Sequence, residues 1–167
     1  MIQKRPILEP QALKKLADLC AKGEHCSGEM IEKMRKWGLS EDVQIRILEK
    51  LISLKYVDDE RYTQFFVHDK IRYNRWGRRK IEQALWLKKV DSNIASSVLD
   101  AVDDAEYLEV LRPLMASKYR TIKGESDYER SMKLIKFAMG GFTMDLIRRC
   151  IDEGVVDSDG DVDFIEE

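Results

Sequence analysis

The sequence predicts an all-α protein built as three tandem three-helix repeats that form an elongated, curved body, and three observations predict it. Long stretches are rich in Leu, Lys, Glu, Arg, Met and Ala, the residues that lose least on entering a helix, while the 167 residues include only three prolines and nine glycines. One short turn pattern recurs three times, at spacings of 51 and 52 residues. Apolar residues around its first two copies stay in phase at helical spacing.

The recurring turn is Trp37-Gly38-Leu39-Ser40, then Lys88-Lys89-Val90-Asp91, then Gly140-Gly141-Phe142-Thr143. Each copy sets an apolar residue before Ser, Asp or Thr, a helix stop followed by an N-cap for the next helix. Around the first two copies Met30 aligns with Ile81, Met34 with Leu85, Val43 with Ile94, Ile47 with Val98 and Leu51 with Val102. A second landmark, Asp58-Asp59-Glu60-Arg61-Tyr62, is echoed by Asp103-Asp104-Ala105-Glu106-Tyr107. Acids there suit a helix N-terminus, whose free amides favour negative charge. Each repeat therefore reads as a longer first helix, a shorter second one and a third after the capped turn. The boundaries are 8–57, 58–102 and 103–153, with 154–167 left over as an acidic tail expected to be disordered. A single unit this small is marginal alone, so neighbouring repeats should share cores.

The formal net charge of −2 conceals a division, because every charged residue from Asp152 onward is acidic. Residues 1–150 then carry a surplus of six positive charges, a mildly basic body with an anionic tail. No apolar run is long enough to span a bilayer, and the start, MIQKRPILEP, lacks the apolar core and cleavage site of a signal peptide. A cytoplasmic protein without a membrane partner is expected. Cys20, Cys26 and Cys150 are odd in number and lack disulfide spacing, which fits free thiols in a reducing compartment.

Motifs for chemistry do not assemble. Gly23 and Gly28 have the spacing of a phosphate-binding loop but are followed by Glu29-Met30 instead of Lys-Ser/Thr. Cys20, His25 and Cys26 lack the short cysteine gap of a zinc knuckle and a nearby fourth ligand. In Asp157-Ser158-Asp159-Gly160-Asp161-Val162-Asp163 the glycine falls at the fourth place of a calcium loop, where the sixth is required. No catalytic constellation, cofactor or metal is expected, and the protein reads as a monomeric binding protein instead of an enzyme.

The binding face is expected in the middle repeat. From Arg61 to Lys89 nine basic residues stand against Asp69 and Glu82 alone. At about 100° per residue Arg61, Phe65, His68, Arg72 and Arg75 fall along one stripe, and Tyr62, Phe65, Phe66 and Tyr73 form an adjoining apolar face. After Trp76-Gly77 the next helix opens on Arg78, Arg79 and Lys80, cations that a helix N-terminus disfavours by a few tenths of a kcal/mol each. An anionic partner, a nucleic-acid backbone or an acidic protein groove, would account for them. Trp76 beside a glycine reads as a packing wedge ahead of a base-stacking platform.

Tyr56-Val57-Asp58-Asp59-Glu60-Arg61-Tyr62, followed by Gly77-Arg78-Arg79-Lys80-Ile81 and Leu85, resembles the RecX family of recombinase regulators. The combination of Asp-Asp-x-Arg-aromatic with Gly-x-Arg-x-Ile carries the resemblance, which extends over about residues 10–153. It implies three tandem three-helix repeats and a bacterial protein that binds the RecA recombinase, chiefly as its filament on DNA. It implies restraint of strand exchange, ATP hydrolysis and co-protease activity, with single- or double-stranded DNA phosphates as a further contact. Arg61, Gly77, Arg79 and Ile81 are the matching motif positions, Gly77 and Ile81 reading as structural. Charge adds Arg72, Arg75, Arg78 and Lys80 to the expected interface. Lys88-Lys89 departs from the family's frequent glycine, and the third repeat matches loosely. The alternative is a recombinase-independent nucleic-acid-binding helical module; a hydrolase with an unrecognised site has almost no support.

Overall fold

The computed structural model describes residues 6–155. The tail from residue 156, with its calcium-loop-like run, lies outside the described residues. Among the described residues there are nine helices and no strand: α1 Glu9–Lys22, α2 Ser27–Lys36, α3 Glu41–Ser53, α4 Asp59–Arg72, α5 Arg78–Leu87, α6 Ser92–Asp100, α7 Asp104–Thr121, α8 Asp127–Ala138 and α9 Met144–Asp152. They fall three to a repeat. No helix is long and apolar enough to cross a membrane among the described residues.

Among the described residues the chain packs as two compact units, one of 6–67 with 83–100, the other of 68–82 with 101–155. In the first unit Ala12 and Leu16 of α1, Met30 and Met34 of α2, Ile47 and Leu51 of α3 and Val57 form one buried cluster. Each fully buried large side chain there contributes about 1.5–3 kcal/mol relative to exposure. Leu85, Val90, Val98 and Leu99 of the middle repeat are buried within this unit too. In the second unit α7 buries Tyr107, Leu108, Leu111, Met115 and Tyr119, while α8 buries Leu134 and Ala138, and α9 buries Leu146, Ile147 and Cys150.

The turn between second and third helix explains the repeat. Gly38 and Lys89 occupy the same left-handed position, at φ 74° and 58°. The next amides, Leu39 and Val90, reach back to the carbonyls of Met34 and Leu85 at 3.2 and 3.1 Å, closing the helix ends in the same way. The third copy differs, since the Phe142 amide returns to Ala138 at 2.9 Å and no left-handed residue is needed. Of the three expected caps, Ser40 accepts from the Val43 amide and Asp91 from that of Asn93. Thr143 stands at the N-cap of α9 but its side chain makes no capping bond.

Two glycines let helices approach a turn of the following repeat. A Cβ on Gly28 would lie 2.1 Å from the Lys88 carbonyl oxygen, inside the first unit, and one on Gly77 would lie 2.2 Å from that of Gly141, inside the second. Neither glycine has positive φ. The requirement is space, not backbone freedom.

Candidate functional site

The expected apolar face of α4 is misplaced by one helical position. Tyr62 is buried and stacks on Phe66 with centroids 5.6 Å apart, but Phe65 is 57% and Tyr73 82% exposed. The buried face runs through Thr63, Val67 and Ile71, at i, i+4 and i+8. Burying Thr63 is tolerated because its hydroxyl donates to the Asp59 carbonyl at 2.6 Å.

Arg61 belongs to the first unit and is engaged there. Its Nε donates to Glu24 at 2.8 Å, and Nη2 donates to the carbonyls of Lys55 and Tyr56 at 3.1 and 3.3 Å. The guanidinium thus ties down the α3–α4 turn, where Lys55 holds a left-handed backbone at φ 62°.

The other five cations gather in the second unit, on the end of α4, the corner after it and the first turn of α5. Arg72 is 68% exposed and its Nε lies 3.7 Å from Glu106, whose same oxygen is 2.7 Å from His68 Nδ1. Arg75 is exposed at φ 55°. Next to it the Trp76 amide donates to Lys70 O at 3.0 Å, and the Lys70 ammonium covers the Trp76 ring at 5.0 Å. That contact matches a packing wedge, since the half-buried ring already has a cation on its face.

α5 begins without any acid in its first turn. Arg78 turns to Glu82 one turn on, at 2.7 Å. The Arg79 amide donates to Gly141 O at 3.2 Å, so a carbonyl from the third repeat does part of what a capping side chain would do. The Arg79 guanidinium donates to Met139 O at 3.3 Å. Neither Arg75, Arg79 nor Lys80 has a carboxylate partner among the described residues.

Beside these cations lies a cavity of about 70 Å³, lined by Arg75, Lys80, Leu114, Phe137, Gly141 and Phe142. Its floor is apolar and its rim cationic. The cations are visible in the sequence but the floor is not, because the floor comes from the third repeat, which the packing of Gly77 on Gly141 and the bonds from Arg79 to Gly141 O and Met139 O bring against α5. Burial pushes the neighbouring Tyr107 phenol up to about 12, with Arg78 pulling it the other way. No group of three His, Cys, Asp or Glu side chains able to hold a metal occurs among the described residues.

Helix composition and turn register define an all-α protein of three-helix repeats. The profiles of the second and third three-helix domains of RecX match residues 58–99 and 104–151, together more than half of the chain. The chain belongs to the RecX family of regulatory proteins. It is 29% identical over 134 residues to the regulatory protein RecX of Acinetobacter baylyi, covering 80% of this chain and 81% of that one. It is 27% identical over 135 residues to that of Chlorobium phaeobacteroides, covering 81% and 87%. Against that of Clostridium perfringens it is 32% identical over 113 residues but spans only 52% of the relative's length. The crystal structure of RecX from Lactobacillus salivarius superposes with a TM-score of 0.80 at 23% identity, covering 87% of this chain and 95% of that one, a likeness of fold.

Proposed function

We propose that this protein binds the RecA recombinase, chiefly as its filament on DNA, and restrains strand exchange, ATP hydrolysis and co-protease activity by occupying filament surface, performing no chemistry itself. The observation that carries this reading is the corner of Arg75, Arg79 and Lys80, cations without carboxylate partners, of which Arg75 and Lys80 line a cavity together with Leu114, Phe137 and Phe142. Carboxylates of a protein partner would pair with the rim while a small apolar side chain enters the cavity, the usual construction of an interface anchor. Arg72, held only at 3.7 Å by Glu106, extends the rim, and Arg78 joins it by opening from Glu82. Arg61 positions the α3–α4 turn instead of meeting the partner. The protein would work in the cytoplasm, where the recombinase is.

RecA-catalysed strand exchange titrated with the protein tests this. Inhibition is expected at or below one protein per recombinase protomer. Arg75→Glu with Arg79→Glu and Lys80→Glu should raise the inhibitory concentration roughly tenfold or more. No inhibition at equimolar protein refutes the function; unchanged inhibition by the triple variant refutes the surface. The alternative, a nucleic-acid-binding module that ignores the recombinase, predicts inhibition that vanishes when DNA is in excess.

A further inference from the structure

The corner on α4 and α5 holds more positive charge than its surroundings balance. Arg72 faces Glu106 at 3.7 Å and Arg78 faces Glu82 at 2.7 Å, whereas Arg75, Arg79 and Lys80 face no carboxylate among the described residues. No acid lines the cavity beside them, and the Lys80 stem passes 3.7 Å from where a Cβ on Gly141 would stand. The lysine-lined groove of the first unit differs, because Glu29 and Glu32 share its lining with Lys33, Lys36, Lys88 and Lys89.

The complementary charge lies in this chain. Every charged residue from Asp157 to Glu167 is acidic: Asp157, Asp159, Asp161, Asp163, Glu166 and Glu167. Their order matters as well as their sign. Successive side chains of an extended segment alternate, so Asp159, Asp161, Asp163, Ile165 and Glu167 would share one face when the segment is laid out straight. That face sets one aliphatic side chain between carboxylates. The corner sets cations beside a small cavity whose lining includes Leu114, Phe137 and Phe142.

The tether is long enough to join the two. Phe142 of the cavity stands two residues before α9, whose nine residues rise about 14 Å. At the far end of α9 the Val155 amide returns to Cys150 O at 3.2 Å. Glu153 there grips Arg112 at 2.6 and 3.1 Å, two residues along α7 from Leu114 of the cavity lining. The chain therefore leaves α9 within roughly 20 Å of the cavity. The ten residues from Val155 to Ile165 span up to about 33 Å. A segment on so short a tether is held at an effective concentration on the order of 1 mM, so a contact with an intrinsic dissociation constant of about 0.1 mM would be closed roughly nine-tenths of the time.

We propose that residues 156–167 dock back on this corner, with Ile165 in the cavity and the flanking carboxylates on Arg75, Arg79 and Lys80, as an internal competitor for the surface that meets the partner. The docking itself needs no recombinase. Its regulatory consequence rests on the function proposed above: a partner has to displace the segment, and its apparent affinity falls in proportion to the fraction of open corner.

Amide NMR spectra of the full chain, with no recombinase present, test the docking. Ile165→Ser, and separately Asp159→Asn with Asp161→Asn and Asp163→Asn, should each shift the Arg79, Gly140, Gly141 and Phe142 amides and leave those of Gly28, Lys88 and Lys89 unmoved. Shifts confined to the substituted segment overturn the docking. Equal shifts at Gly28, Lys88 and Lys89 reduce it to general charge attraction and overturn the site, and a response to the triple substitution without one to Ile165→Ser removes the anchor and overturns it too. In strand exchange the Ile165→Ser chain should inhibit at a concentration roughly three- to tenfold lower than the unsubstituted chain. An unchanged inhibitory concentration alongside the expected amide shifts overturns the regulation. Absence of inhibition by either chain refutes the recombinase reading and the regulation with it, while the amide shifts still decide the docking.

Discussion

A methyl group added at Gly77 would meet the Gly141 carbonyl at 2.2 Å, and one at Gly28 the Lys88 carbonyl at 2.1 Å. Backbone cannot yield as a side-chain tip can, so Gly77→Ala and Gly28→Ala should each destabilise by roughly 2 kcal/mol or more. Gly23, with nothing within 4 Å of its added Cβ, is the internal control. Urea midpoints of the three alanine variants check this, and equal midpoints would contradict it. The need for Gly77 was legible in its motif. That for Gly28 was not, because the oxygen it avoids belongs to a residue far along the chain. Arg61 shows the same limit from the other side: it stood out as a cation, yet its partners Glu24, Lys55 O and Tyr56 O are set by how α4 meets the turn before it.

At the scale of elements, α2 and α5 begin differently. α2 has Glu29 in its first turn, whereas α5 has three cations and borrows a carbonyl from Gly141. Burial alone would raise the Glu29 carboxyl. The Cys26 amide and the Lys88 ammonium outweigh it and hold the group below the ordinary glutamate value of 4.5. Its folded value being the lower one, the stabilisation is complete above the unfolded value and disappears as pH falls through the folded value. Glu29→Gln should therefore cost most near neutrality, and the cost should shrink as pH falls below about 4.5. Chemical denaturation of both proteins across that range is the measurement, and a pH-independent difference would contradict it. The helices themselves were readable from apolar period and caps, since Ser40 and Asp91 act locally. The buried face of α4 was not, because Phe65 and Tyr73 suggest burial by type while Thr63 takes the inner position through a bond to its own backbone.

Across the whole molecule, the repeats and the packing units do not share boundaries. The register of turns divides the chain near 58 and 102, but packing places 68–82 with the third repeat and 83–100 with the first. A repeat register reports which residues are equivalent, and it carries no information on which neighbour each helix packs against. That division gives the middle repeat two surfaces of different chemistry, an arginine corner over a small cavity in one unit and part of a lysine-lined groove in the other. On this account the corner meets the recombinase. The most direct test is co-sedimentation of the protein with RecA filaments assembled on single-stranded DNA. The account predicts saturable pelleting well beyond that with DNA alone, and loss of the excess for Arg75→Glu with Arg79→Glu and Lys80→Glu. Pelleting no greater than with DNA alone, or undiminished in the triple variant, would contradict it.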